Sequence, residues 1–150
     1  MTKIADIYDG IITKVGTAAT GYVRVPDPYT LTANSALLIN KGYGLSIGPG
    51  SNTERYVGCF ATWERQFTIG LITQVFTTEN DTINRASAEK AMLDVHRAIL
   101  LAFESDPTIG ATCMKSVITD DTGIQYEEGE RSKFLVLEIT LSVEYQEPNS

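Results

Sequence analysis

Apolar and polar residues alternate along "FLVLEITLSVEY", Phe134–Tyr145. Leu135, Leu137, Ile139, Leu141, Val143 and Tyr145 are apolar, and after Val136 the intervening Glu138, Thr140, Ser142 and Glu144 are polar. A period of two held for so long specifies a strand with one dry face and one wet face. "WERQFTIGLITQVF" repeats the pattern. Trp63, Phe67, Ile69, Leu71 and Val75 fall on one face, and Glu64, Gln66, Thr68 and Gln74 on the other, interrupted by Ile72 and Phe76. Gly70 is a place for such a strand to bend or bulge. A third alternation, Tyr43, Leu45 and Ile47, breaks at Gly48-Pro49-Gly50, a turn signal. "CMKSVIT" supplies a fourth strand, and "DDTGIQYEEGERS", Asp120–Ser132, reads as a polar link whose bland account is a solvated hairpin tip.

Two segments carry the helical period instead. Ile4, Ile7, Ile11, Ile12 and Val15 recur at steps of three and four; Thr2 can cap that helix and Gly16 sits where it can end. Gly10 is an unwelcome residue inside it. The stronger helix spans roughly Ile83 to Ser105. Its stripe is Ala88, Met92, Val95, Ile99 and Phe103, widened by Ala91, Leu100 and Ala102. Asp81 or Asn84 can cap it, and Pro107 forbids its continuation. Between the first helix and the strands, "GYVRVPDPYTLT" reads as an extended, exposed connector because Pro26 and Pro28 deny regular helix. A short helical turn, "SALLINK", capped by Asn34, is expected to stop at Gly42.

The order is helix, strand, strand, helix, strand, strand. Cleanly alternating strands favour an antiparallel sheet with one covered face. The predicted fold is therefore an α+β two-layer sandwich, a mainly antiparallel four-stranded sheet with helices packed on one face, in a single domain over residues 1–150.

Composition narrows the function classes. A hydrophobic fraction of 43% and a charged fraction of 21% are those of a folded chain. A net charge of −7 argues against a surface that grips phosphates, although an acidic wall suits DNA that must pass without sticking. The opening "MTKIADIYDGIITKVG" lacks the apolar core of a secretory signal, and no apolar run is long enough to span a bilayer. Cys59 and Cys113 stand far apart without metal or redox spacing, so two reduced cysteines in a cytoplasm are expected.

Candidate chemistry is sparse. His96 is the only histidine, at the edge of the long helix's stripe, and a packing role outweighs a general base there. Asp120-Asp121 and Glu127-Glu128 lack the alternating pattern of a calcium loop. "GYGLSIGPG" is neither a dinucleotide fingerprint nor a phosphate loop. Without a nucleophile, an oriented base and an oxyanion donor set, no enzyme is expected, and no cofactor or metal. Two segments suit partner contact instead: the connector through Tyr22, Arg24 and Tyr29, where aromatic anchors are concentrated, and the link through Asp120, Asp121, Glu127, Glu128 and Arg131. Long strands also leave sheet edges, which pairing across subunits would cover.

The strand "WERQFTIGLI", the following helix "NRASAEKAMLDVHRAILLAF" and the closing "KFLVLEITLSVEY", with the Arg65-x-Phe67 pair and a final Tyr145, resemble the tail terminator family of long-tailed bacteriophages, also called tail-completion or head–tail joining proteins. The resemblance covers the chain from about Ser35. It implies a virion protein assembled in the host cytoplasm, forming a homo-hexameric ring that caps the tail tube and stops its polymerisation. The implied partners are further copies of itself, the tail-tube protein and the head–tail connector or stopper; genomic DNA would pass through the centre without specific binding. In such a ring the wet residues Glu138 and Glu144 are candidates to face the lumen. Two alternatives remain open at this point: another neck or tail component, such as a head-closure stopper or tube-like subunit, and a small bacterial ligand-binding α+β domain.

Overall fold

A computed structural model describes residues 4–25, 41–55, 60–75, 81–128 and 133–148. Helix α1 (Ile4–Ala18) is followed by strands β1 (Val23–Arg24), β2 (Lys41–Arg55) and β3 (Phe60–Val75), helix α2 (Asp81–Ser105), and strands β4 (Lys115–Asp121), β5 (Gln125–Glu128) and β6 (Lys133–Pro148). The fold is mixed α+β, with six strands where the periodicity predicts four. The sheet order is β1-β2-β3-β6-β4, with β5 also on β6. Every pairing is antiparallel except that of the two-residue β1, which lies parallel to β2.

The odd positions of β3 and β6 face the helices. Phe67, Ile69, Leu71, Leu135, Ile139, Leu141 and Val143 join Ile7, Ile11, Met92, Ile99 and Phe103 in one buried cluster. Burying each such side chain contributes about 1.5–3 kcal/mol, so this shared layer is the main source of stability. The predicted stripe of the long helix is the buried one, and the helix begins at Asp81, two residues before the expected Ile83. The opposite face is not wholly wet: Ile72, Phe134 and Val136 form a second, smaller buried cluster.

Four expectations need correction. Gly16 does not end α1, which runs to Ala18; a Cβ there would stand 2.6 Å from the Tyr43 hydroxyl, so glycine lets the helix approach β2. Gly48-Pro49-Gly50 is not a turn between elements but lies inside β2, where the register with β3 shifts between Ile47 and Gly50. A bulge inserts residues without ending a strand, and its local sequence looks like a turn. The link predicted over Asp120–Ser132 is strand at six of its nine described residues: β4 continues through Asp121, and β5 carries Gln125–Glu128 along the same side of β6. Between them Thr122 donates its N–H to the Glu138 carbonyl at 3.0 Å and its hydroxyl accepts the Glu138 N–H at 3.2 Å, holding the edge together. Nor is the connector exposed at Tyr22 and Val25, which are both buried, whereas Val23 is 53% exposed. The proposed short helix at residues 34–40 lies outside the described residues, while Lys41 and Gly42 belong to β2.

Candidate functional surfaces

The face of the sheet turned away from the helices carries the first candidate surface. Because β3 and β6 pair without interruption from Phe60–Pro148 to Val75–Lys133, their even residues stand in rows: Glu64 opposite Glu144, Gln66 opposite Ser142, Thr68 opposite Thr140, Gly70 opposite Glu138. Ser142 Oγ donates to Glu64 Oε1 at 3.0 Å. On the other flank of Glu144, β4 places Lys115. Glu144 therefore has a carboxylate on one side and an ammonium on the other. Glu64, Lys115, Val117, Thr119, Ser142 and Glu144 line a shallow depression of about 320 Å³. Glu138 and Glu144, the two lumen candidates, are both half-buried on this one face. Three pleat repeats separate them, about 20 Å at the rise of a strand. Carboxylates and hydroxyls with one nearby ammonium repel phosphate and offer no activated nucleophile.

The two edges of the sheet carry the second surface. The structure does not bring the sequence-predicted contact residues together; it sends them to opposite edges. Arg24 is exposed on β1, while Asp120, Asp121 and Glu127 are exposed on β4 and β5. Tyr22, an expected anchor, is withdrawn from any surface: its hydroxyl shares a 2.8 Å hydrogen bond with Thr73 Oγ1, and burial pushes its phenol up, offset by that bond. Glu128 ends β5, and Tyr29 and Arg131 lie outside the described residues, as does Cys59.

The helical side holds contacts that the sequence alone did not signal. Lys14 of α1 reaches the C-terminus of α2, donating to the Ala102 carbonyl at 3.3 Å and to Asp106 Oδ2 at 3.1 Å. It satisfies an orphan carbonyl and opposes the negative end of the helix dipole. The Lys14 hydrogen bond, followed by the Gly110 N–H, holds the Asp106 carboxyl below its usual value. A groove of about 600 Å³ runs between the helices above this pair. His96 Nε2 lies 3.4 Å from Asp121 Oδ2 but out of hydrogen-bonding line, so the histidine meets the edge strand β4 without a hydrogen bond. Burial raises the Cys113 thiol to about 11, which leaves it a poor nucleophile at neutral pH. Arg65 donates Nε to the Tyr145 hydroxyl at 3.1 Å and Nη1 to the Gly48 carbonyl at 3.1 Å, joining three strands across the β2 bulge. No cluster of three or more potential metal ligands occurs among the described residues. Among those residues no helix is long and apolar enough to cross a membrane.

Comparison of the chain with protein-family models and with curated protein sequences gives no match.

Proposed function

We propose that this protein is a structural component of a bacteriophage virion, a tail terminator whose copies form a ring on the end of the tail tube. In that ring the tube protein lies on one side, the connector or stopper on the other, and the genome passes through. The observation that carries the reading is the sheet face opposite the helices, where Glu64, Glu138 and Glu144 stand among Gln66, Thr68, Thr140 and Ser142. An acidic, hydroxyl-rich stretch of this face is suited to a lumen through which DNA slides, because it repels phosphate instead of binding it. The resemblance of the β3–α2 and β6 sequences to the terminator family supports the station. So does the dominance of α2, since a tube subunit closes its sheet mainly through hairpins.

The test is assembly of tails with and without the protein, imaged by negative stain. Without it, tubes of unregulated length are expected; tails of normal length would end the proposal. Labelling the protein in whole particles separates the terminator's station from a stopper's or a tube subunit's.

A further inference from the structure

His96 is the one histidine of the chain, and it stands on the flank of α2 that meets the edge strand β4. Its Nε2 is closed to solvent and makes no hydrogen bond, although Asp121 Oδ2 is only 3.4 Å away. Register puts the Asp121 side chain on the helix side of the sheet, because Asp121 pairs with the buried Ile139. The other oxygen, Asp121 Oδ1, accepts the Gly123 N–H at 2.7 Å, and the next residue, Thr122, donates its N–H to the Glu138 carbonyl at 3.0 Å. Asp121 therefore anchors the joint between β4 and β5, where Gly123 turns the chain at φ 71°.

The other charged or titratable groups facing α2 are engaged or remote. On β5, Tyr126 lies under the Arg85 guanidinium at 4.3 Å; it pairs with Leu135, four residues from Ile139, or about 13 Å along the strand. On β6, Lys133 and Tyr145 stand six residues from Ile139 in either direction, about 20 Å. Arg65 of β3 is bonded to Tyr145. α1 packs on the opposite flank of α2, where Lys14 is held by Asp106 and Asp9 lines the groove. On α2 itself Glu89 is paired with Arg85, and Arg97 is exposed. Asp120 pairs with Thr140 and so faces the other side of the sheet. Asp121 is thus the carboxylate that the His96 ring meets.

We infer that His96 and Asp121 form a pH-sensitive latch between the helix layer and the β4–β5 edge. The neutral ring leaves Nε2 unpartnered beside a carboxylate. Protonation gives the ring a positive charge and puts an N–H on Nε2, and a small turn of the side chain then closes the contact as a charge-assisted hydrogen bond. A histidine that gains a partner on protonation contributes stability present at acid pH and lost as pH rises. Side-chain exposures of 22% and 38% hold the effect to the modest scale of a partly solvated ion pair. The latch belongs to the single chain and does not depend on the terminator reading.

A double-mutant cycle in urea, run at about pH 5.5 and at about pH 8, measures it. His96→Gln removes the charge; Asp121→Asn removes the carboxylate and keeps an oxygen for the Gly123 N–H. At the lower pH the pair is expected to couple by about threefold in the unfolding constant, and at the higher pH the coupling should vanish. Coupling absent at both, or equal at both as for a merely structural histidine, would overturn the latch. Amide exchange supplies a readout in the wild type, with no variant that must fold. Corrected for intrinsic rates, exchange at Thr122 and Gly123 should be about threefold slower at the lower pH than at the higher. Protection there that does not change with pH would equally overturn it.

Discussion

Tyr22 carries the clearest single-residue consequence. The hydroxyl it shares with Thr73 is buried, so removing one partner strands the other without water. Tyr22→Phe is expected to cost about 1–2 kcal/mol at neutral pH, read from urea unfolding. The pH dependence has a defined sign. Burial raises the folded-state phenol above its ordinary 10.0, the Thr73 bond opposing part of that rise. The stability associated with the neutral phenol is complete below the unfolded value and is lost as pH rises through the folded one. The wild type should therefore lose stability on the alkaline side by more than Tyr22→Phe does, and parallel alkaline limbs would contradict the assignment.

Within elements, the unwelcome glycine in α1 finds its reason. A Cβ on Gly10 would stand 2.8 Å from Ile109 Cγ2. Ile109 has little room to retreat. It is buried, its backbone sits at φ 50°, and its carbonyl accepts the Thr112 hydroxyl at 2.7 Å. Such a left-handed conformation in a β-branched residue is held only where its surroundings determine it. Gly10→Ala gains about 1 kcal/mol of helix propensity but meets an overpacking cost of about 1–3 kcal/mol, so a net loss is expected. In an Ile109→Ala background the clash is gone and the same substitution should stabilise. Thermal melts of the four chains measure this coupling, and equal effects in both backgrounds would show that the contact is irrelevant.

At the scale of the whole molecule, the proposed lumen makes its own prediction. Glu138→Lys with Glu144→Lys converts a repelling wall into one that holds phosphate. Slower or blocked DNA exit is expected in particles carrying the double variant, measured as ejection kinetics, and unchanged infectivity would remove these residues from the lumen. Glu144 is the more instructive of the two. Lys115 already flanks it, so a second lysine there also creates a like-charge pair across the ladder. Stability should be checked beside ejection.

Much of the architecture was legible in the residues. The odd positions Leu135 to Tyr145, the stripe Met92–Ile99–Phe103 and the isoleucines of α1 are dictated by period, because a buried face must be apolar at the repeat of its own element. Period failed where burial is not one-sided. The edge strand through Asp120, Asp121 and Glu127 has too little covered surface to look like a strand, and the β2 bulge carries the sequence of a turn. In the sequence the candidate contact residues form two separate segments; only strand order shows that Arg24 and the acidic group occupy opposite edges of one sheet. Lys14 on Asp106, and Arg65 on Tyr145, join residues 92 and 80 positions apart. The sequence by itself determined which faces are dry, since hydrophobic burial is a local, repeating demand. The tertiary structure alone decided which charges become neighbours and which become opposite ends of one sheet, since that depends on pairing between distant strands.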